Sequence, residues 1–146
     1  ALVLPLAFAI MATNYDNYRL AKTPDAILLA IQGIRELSKV LKDLDYSISP
    51  KKLLLLIHLP RFLLLHLLKK KLNSEFAEIA MAGHVRAAPD EMIHLYKEFR
   101  LLINKSSLSA PCMEYLFRFH KNQIPRIPVG KQEISPWKNP TTTFPS

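Results

Sequence analysis

The amino-acid sequence predicts an all-α domain of about six to seven helices with a proline-rich tail, on the strength of three observations. Hydrophobic residues make up 49% of the 146 positions and glycine only three, which favours packed helices over a turn-rich sheet protein. Apolar residues recur at spacings of three and four, without an alternating pattern of useful length. Proline directly follows serine or threonine at two places where a helix is expected to begin.

The first two helices are predicted at residues 2–12 and from Pro24 to about Leu44. Residues 2–12 are apolar on nearly every face, as expected of a central helix that is packed all round. The polar residues 13–18 are expected to form a loop or a frayed turn. Thr23 offers a hydroxyl for the N-cap of the second helix, and Pro24 suits its first turn. The expected buried stripe of this helix comprises Ile27, Ala30, Ile31, Ile34, Leu37 and Leu41.

The next two helices lie on either side of Pro60. Ser49 and Pro50 repeat the start signal and open the third helix. Pro60 either kinks this helix or begins a fourth one, because proline breaks the backbone hydrogen-bond ladder, and the second interpretation is favoured. The fourth helix ends in lysines at 69–71, whose positive charges suit the negative end of the helix dipole.

Three further helices are predicted before the tail. Ser74 is expected to cap the fifth helix, and Pro89 to separate or kink it from the sixth. Pro111 opens the last helix, which is expected from Cys112 to Phe119, because proline costs no hydrogen bond in a first turn. The apolar stripe of the sixth helix comprises Leu95, Phe99, Leu102 and Ile103.

After about Asn122 the sequence changes to a proline-rich tail, which holds five of the eleven prolines and excludes a regular helix. The predicted organisation is a helical domain at residues 1–122 and a tail at residues 123–146. The tail is expected to be either disordered or an extended strap. If it docks, its anchors are expected to be Ile124, Ile127 and Trp137.

The formal net charge of +8 is concentrated in residues 51–71, which hold six basic residues and no acidic one. This segment could meet an anionic partner. The favoured interpretation is the solvated ends of two apolar helices, because leucines rather than stacking aromatic residues separate the cations, and no nucleic-acid partner is expected. The basic residues are Lys51, Lys52, Arg61, Lys69, Lys70 and Lys71.

Two apolar stretches, at residues 2–12 and 53–68, are not expected to span a membrane. The first is shorter than the roughly 20 residues that a spanning helix needs. The second is interrupted by polar residues and a proline, so a buried core or an oligomer interface is the better account of it. Together the two stretches exceed what one small domain easily buries, which favours a partner surface.

The single cysteine, Cys112, excludes an internal disulfide and is typical of a reducing compartment, so a cytoplasmic location is expected. Its position near a helix start suits a small buried apolar residue. The sequence places no histidine or aspartate where it would make Cys112 a nucleophile.

Three further features of the sequence lie in its first, fifth, sixth and last predicted helices. Glu91 opens the sixth helix and Pro111 follows it after twenty residues, while Pro5 and Leu6 form a proline–leucine pair in the first helix. Together with the segment at residues 82–92, they resemble the C-terminal helical domain of the ketopantoate reductase family, the NADPH-dependent 2-dehydropantoate 2-reductases, in a divergent branch. The resemblance extends over roughly residues 1–120.

The resemblance implies a fold similar to the C-terminal domain of 6-phosphogluconate dehydrogenase, with a role in substrate binding and homodimer formation. Glu91 would be the catalytic glutamate, contacting the reacting region of a small 2-oxo acid, and His84 would line the substrate cleft. NADPH would be held by an N-terminal dinucleotide-binding domain outside this chain, whose three glycines form no Gly-rich turn. The chain alone is therefore expected not to catalyse hydride transfer.

The sequence departs from the family pattern at three places. The family often has aspartate two residues after the glutamate and asparagine five residues after it, whereas Ile93 and Tyr96 occupy these positions here. The catalytic lysine of the family lies upstream of the proline–leucine pair and would fall before Ala1.

Other interpretations of the same residues stay open. Asp90 and Glu91 would stabilise a helix N-terminus without any further function. Glu91 and His94 have the spacing used by di-iron bundle proteins, but no second copy exists, so no metal site is predicted. His58 and His66 are expected at the edge of the core or at an interface. The alternative function is a stand-alone helical interaction or scaffold module without catalytic activity.

Overall fold

The computed structural model describes residues 3–48, 51–121, 123–127 and 129, which form eight helices without a strand among them. This architecture confirms the all-α class, while the specific fold family stays a prediction. The structure has more helices than the predicted six to seven because one short helix, α2, was not predicted. The helices are α1 (Leu4–Ala12), α2 (Asn17–Ala21), α3 (Pro24–Asp43), α4 (Lys51–Ile57), α5 (Arg61–Leu72), α6 (residues 75–87), α7 (Pro89–Lys105) and α8 (Pro111–Phe117), which a 3₁₀ turn (Arg118–His120) continues.

Helix α1 lies at the centre of the domain, packed against α3 and α8. All its residues except Leu6 are buried, so the prediction of a helix covered on every side is confirmed. Gly33 of α3 permits the close approach, because a Cβ at this position would lie only 3.1 Å from Cβ of Pro5. Since other described helices cover it, α1 is not the partner surface that its apolar sequence favoured.

The polar residues 13–18 are predicted to form a loop or a frayed turn, but they include the start of α2 at Asn17. Two residues of the turn that precedes α2 have positive φ angles of 61° and 60°. Asp16 then caps the helix, since its Oδ1 accepts two backbone N–H groups of the first turn at 2.9 and 3.1 Å. The prediction was therefore wrong from Asn17 onward, because it overlooked Asp16 as an N-cap.

Helix α3, the longest, matches its predicted range and begins at Pro24. The predicted stripe faces the core, with Ile34 and Leu41 half-buried and its other members buried. The predicted N-cap is wrong, because the hydroxyl of Thr23 caps no N–H group of α3. It donates instead to the carbonyl of Arg19 at 2.8 Å and so closes the end of α2.

Pro60 separates α4 from α5, which confirms the favoured interpretation of this proline. The predicted start of α4 at residues 49–50 lies outside the described residues. Arg35 of α3 holds the C-terminal end of α4, because its guanidinium donates to the carbonyls of Ile57 at 3.2 Å and Leu59 at 2.8 Å. The first bond satisfies a carbonyl that the helix end leaves without an intrahelical partner, and the second holds the segment that follows the helix.

The apolar stretch at residues 53–68 divides between α4 and α5, and much of it is not buried. No helix among the described residues is both long enough and apolar enough to cross a membrane. Helix α5 packs against α3 and α2 through one side only. Several large apolar side chains of α4 and α5 are exposed, namely Leu55, Leu56, Phe62, Leu63 and Leu67.

Helix α6 contains a π-helical turn and has the boundaries that the sequence predicts. Ser74 caps it as predicted, because its Oγ accepts the N–H of Ala77 at 3.2 Å. Pro89 separates it from α7, which is one of the two outcomes that the sequence predicts for this proline. Its three parts are α-helical Glu75–Ala77, π-helical Glu78–Ala82 and α-helical Gly83–Ala87.

The described part of the tail docks on the domain. Ile127 is 3% exposed, and its N–H donates to the carbonyl of Ala12 at 2.8 Å. Arg19 donates to the carbonyl of Ile127 at 2.7 Å, and Ile124 packs half-buried against the core. These contacts hold the described tail residues against α1 and α2. Trp137 lies outside the described residues, and the predicted domain boundary stays a prediction.

Candidate functional site

A cavity of about 240 Å³ lies between α1, α6 and α7. Helix α1 contributes one face, α6 contributes residues in and after its π turn, and α7 contributes residues of its first two turns. The walls are apolar apart from one imidazole. The lining residues are Val3, Leu4, Ala7, Ile10, Ala80, Met81, His84, Val85, Met92 and Leu95.

The π turn of α6 forms one wall of this cavity. Met81 belongs to the π turn, whereas His84 belongs to the α-helical turn that follows. Gly83 stands at the junction, where a Cβ would approach the carbonyl oxygen of Glu78 to 3.1 Å. Single π turns are frequent at functional sites, since they turn the following side chains away from the regular α-helical register. The wall therefore combines residues from the π-helical part of α6 and from the α-helical part that follows it.

His84 is the titratable residue among those that line the cavity. Its side chain is exposed, and its ring has no hydrogen-bond or ion-pair partner within the described residues. A neutral imidazole offers one donor and one acceptor, and a protonated one attracts a carboxylate. The structure thus places the predicted substrate residue at the cavity, and its role in substrate binding stays a prediction.

Glu91 stands in the first turn of α7, two residues after the start of the helix at Pro89. Its exposed side chain does not line the cavity, but the adjacent Met92 does. Leu95, another lining residue, lies one turn further along the same face of the helix as Glu91. A carboxylate in a first turn is also stabilised by the helix dipole. Both interpretations of Glu91 fit this position, and its catalytic role stays a prediction.

His94 pairs with Glu98 on the exposed side of α7. Their Nε2 and Oε1 atoms lie 3.3 Å apart, with most of both side chains exposed. Neither residue lines the cavity. Within the described part of the chain, no three histidine, cysteine, aspartate or glutamate side chains are grouped so that they could hold a metal ion.

Tyr96, one of the departures from the family pattern, is a core residue. Its ring packs against those of Phe8 and Phe117, with centroids 5.7 and 4.5 Å away. Its hydroxyl donates to the carboxylate of Glu114 at 2.8 Å, which also pairs with Arg100 at 3.3 Å. Burial and then the Glu114 charge raise the pKa of Tyr96 well above its usual value. Tyr96 therefore links α7 to α8 and does not line the cavity.

Glu36 was not predicted as a special residue, yet it is a buried carboxylate at the N-terminus of α8. Its Oε1 and Oε2 accept the backbone N–H groups of Cys112 and Met113, each at 3.1 Å. Burial raises the pKa of Glu36, and the two hydrogen bonds lower it in part. The sequence held one signal, since Glu36 lies three residues after Gly33 and four before Val40, on the buried face of α3.

Cys112 is buried with a free thiol, as predicted. Burial and the neighbouring Glu36 carboxylate raise the pKa of the thiol. Because the thiolate is the reactive form, this environment disfavours a nucleophilic role.

Comparison with known protein families, with curated proteins and with solved structures found no significant match to this chain. The resemblance to the ketopantoate reductase family therefore rests on the residues and motifs given above, and its functional implications are proposals.

Proposed function

We propose that this chain is the substrate-binding and dimerisation domain of a ketopantoate-reductase-like, NADPH-dependent oxidoreductase that reduces a small 2-oxo acid. The observation behind the proposal is the position of Glu91 and His84 on two helices that border one small cavity. Pro5, part of the proline–leucine pair on which the resemblance depends, lies in α1, the first helix.

The size and polarity of the cavity suit part of a small substrate. Its volume of about 240 Å³ lies just below the range for ligand pockets, roughly 300–1,000 Å³, so it would hold part of a ligand. The apolar walls suit a short hydrocarbon group. A protonated His84 at this wall would attract the carboxylate of an oxo acid, and Glu91 would approach from the start of α7.

The chemistry expected of this chain is orientation of the substrate and control of charge at the reacting oxygen. NADPH would supply the hydride when it is bound to the dinucleotide-binding domain. Glu91 would accept a hydrogen bond at the reacting centre, while a lysine outside this chain would supply the proton.

The complete native protein, isolated from its source cells with an antibody against this chain, tests the proposal. A native mass near twice the 16.7 kDa of this chain and NADPH oxidation with small 2-oxo acids are expected. In that protein, Glu91→Gln is expected to lower kcat by about 100-fold or more.

Glu98→Gln is the matched control, because Glu98 is an exposed acid on the same helix that does not line the cavity. It is expected to leave kcat unchanged. Near-normal turnover of the Glu91→Gln variant, or no NADPH-dependent turnover by the native protein, would contradict the proposal.

A stand-alone helical interaction module is the second candidate function. It is favoured by the exposed apolar side chains of α4 and α5, of which Leu55 is 72% and Phe62 75% exposed. Contiguous exposed apolar residues mark interaction surfaces. A native mass of 16.7 kDa without NADPH-dependent activity would favour this candidate.

A further inference from the structure

We propose that the outward face of α5 binds the surface of an anionic phospholipid membrane. We name this face the basic–apolar surface and define it by Phe62, Leu63, Leu67, Lys69 and Lys70. The proposal concerns peripheral attachment, with the helix lying along the bilayer surface. It is independent of the proposed enzymatic function.

Helix α5 is apolar on its outward side as well as on the side that faces the core. Leu64 and Leu72 are buried, whereas Phe62, Leu63 and Leu67 are 75%, 37% and 43% exposed. A helix at the surface of a globular domain normally presents polar residues to water. The outward face of α5 therefore exposes apolar side chains that nothing covers within the described residues, with the exposed His66 as a polar residue between Phe62 and Lys70.

Positive charges flank these apolar side chains without acidic neighbours in the same segment. Residues 51–71 contain six basic residues and no acidic one, and all six basic side chains are exposed. None of the six forms an ion pair with a carboxylate among the described residues. Long lysine side chains can extend past an apolar surface and hold their charge at its edge.

The surface continues onto the start of α6. Nζ of Lys71 lies 4.5 Å from the ring centroid of Phe76, which is 60% exposed. The nearest acids in the sequence belong to α6, where Glu75 lies in the first turn and Glu78 accepts a hydrogen bond from the Tyr18 hydroxyl at 3.0 Å. The cations of α5 are thus the dominant charge beside the exposed apolar side chains.

Charge complementarity selects the membrane over a second copy of the chain. A two-fold interface through the basic–apolar surface would set the same cations against each other, because both subunits contribute the same patch. No acid in residues 51–71 would compensate them. Like charges that face each other in this way oppose association.

A nucleic acid would neutralise the lysines of the basic–apolar surface but would not bury its apolar side chains. It offers phosphates to Lys69 and Lys70, yet it leaves Leu63 and Leu67 without an apolar environment, and stacking on bases needs an array of aromatic rings. An anionic bilayer offers both, with phosphate and carboxylate head groups for the lysines and the acyl boundary for the apolar side chains.

Co-sedimentation of the 146-residue chain with vesicles tests the proposal. Vesicles of phosphatidylcholine alone are compared with vesicles that contain about one third phosphatidylserine, an anionic lipid. Binding is expected to the anionic vesicles, to be much weaker on the neutral ones, and to fall as salt is added, because salt screens the attraction.

Two sets of substitutions probe the two parts of the surface. The double variant Lys69→Gln, Lys70→Gln is expected to lower the partition coefficient about 30-fold, or about fivefold for each lysine. Phe62→Ala is expected to lower it about tenfold through lost apolar burial. Glutamine rather than glutamate avoids a negative charge at the C-terminal end of α5.

The matched controls lie on α7, where Leu101 is 63% exposed and Lys97 and Lys105 are exposed. Leu101→Ala and the double variant Lys97→Gln, Lys105→Gln are expected to change binding less than twofold. Circular dichroism and thermal unfolding establish that each variant is folded.

Selective loss in the α5 variants supports the proposal. Equal binding to both kinds of vesicle, binding to neither, or an equal loss in the α7 controls would overturn it. Duplex DNA binding that Phe62→Ala leaves intact, without vesicle binding, would assign the surface to nucleic acid instead. A dimer in light scattering that Phe62→Ala dissolves, again without vesicle binding, would assign it to a second copy.

Discussion

Glu36 carries a charge whose free energy is set by two opposing effects inside the core. Removal from water disfavours the ionised carboxylate, while the N–H groups of Cys112 and Met113 stabilise it. Burial is the larger effect, because the pKa of Glu36 is raised. The same carboxylate, which belongs to α3, caps the N-terminus of α8. Protonation of Glu36 is therefore linked to the attachment of α8 to the rest of the domain.

The free energy of unfolding of the protein is expected to change with pH as Glu36 titrates. A carboxyl with a raised pKa in the folded state binds its proton more tightly there than in the unfolded chain. Glu36 therefore stabilises the fold most below its ordinary pKa of 4.5, and this stability is lost as the pH rises from 4.5 to the raised value.

Glu36→Gln removes the titrating group, so the free energy of unfolding of the wild type should decline relative to the variant across this pH window. The slope is expected to reach at most about 1.4 kcal/mol per pH unit. Urea unfolding at a series of pH values measures it, with the exposed Glu98→Gln as control. A difference between wild type and Glu36→Gln that does not vary with pH would refute this account.

At the scale of helices, the ends are closed by residues from distant parts of the chain. Asn17 donates to the carbonyl of Leu72 at 2.7 Å, at the C-terminal end of α5. Arg35 donates to carbonyls at the C-terminal end of α4, and the N–H of Ile127 donates to the carbonyl of Ala12 at the C-terminal end of α1. Each bond supplies a partner to a carbonyl that the helix itself cannot satisfy.

This arrangement explains which elements could be predicted from the sequence. The starts of α3, α6, α7 and α8 are marked locally by Pro24, Ser74, Pro89 and Pro111, and all four were predicted. When a residue from a distant part of the chain caps a helix, the sequence at the end of that helix carries no signal of it. The capping role of Glu36 could therefore not be predicted. The π turn of α6 was missed too, because its residues are ordinary helix formers.

The docked tail residue Ile127 is expected to stabilise the element that it closes, α1. Ile127→Ala should lower the free energy of unfolding by about 2–4 kcal/mol, because the side chain is buried and the cavity left behind would not collapse fully. Val129→Ala, two residues later at a 53% exposed position, is the matched control and should change it by less than about 0.5 kcal/mol. Urea unfolding compares them, and equal effects would mean that Ile127 does not anchor the tail.

At the scale of the whole molecule, the candidate cavity is built from three segments that are far apart in the sequence, at residues 3–10, 80–85 and 92–95. Its lining is almost entirely apolar, and apolar residues in a helical domain are more often core than site. The sequence therefore could not predict the cavity. It did predict where Glu91 stands, because the start of α7 is marked by Pro89, while His84 was singled out only through the family resemblance.

The described helices also differ in how firmly the rest of the molecule holds them. All residues of α1 except Leu6 are buried, whereas α4 lies at the periphery, with Ile57 buried and Arg35 bonded to its C-terminal end. Local opening is easiest where few buried contacts hold an element. Hydrogen exchange is therefore expected to be fastest in α4 and slowest in α1 and α3.

Arg35→Met tests whether the guanidinium controls this opening. The variant loses the hydrogen bonds to the carbonyls of Ile57 and Leu59, each from a charged donor, so the α4 amides are expected to exchange at least about tenfold faster. The amides of α1 should keep their rates, because none of the lost bonds reaches α1. Lys39→Met, an exposed position on the same helix as Arg35, is the matched control and should leave α4 unchanged. Faster exchange in all helices alike would mean that Arg35 stabilises the whole domain rather than the attachment of α4.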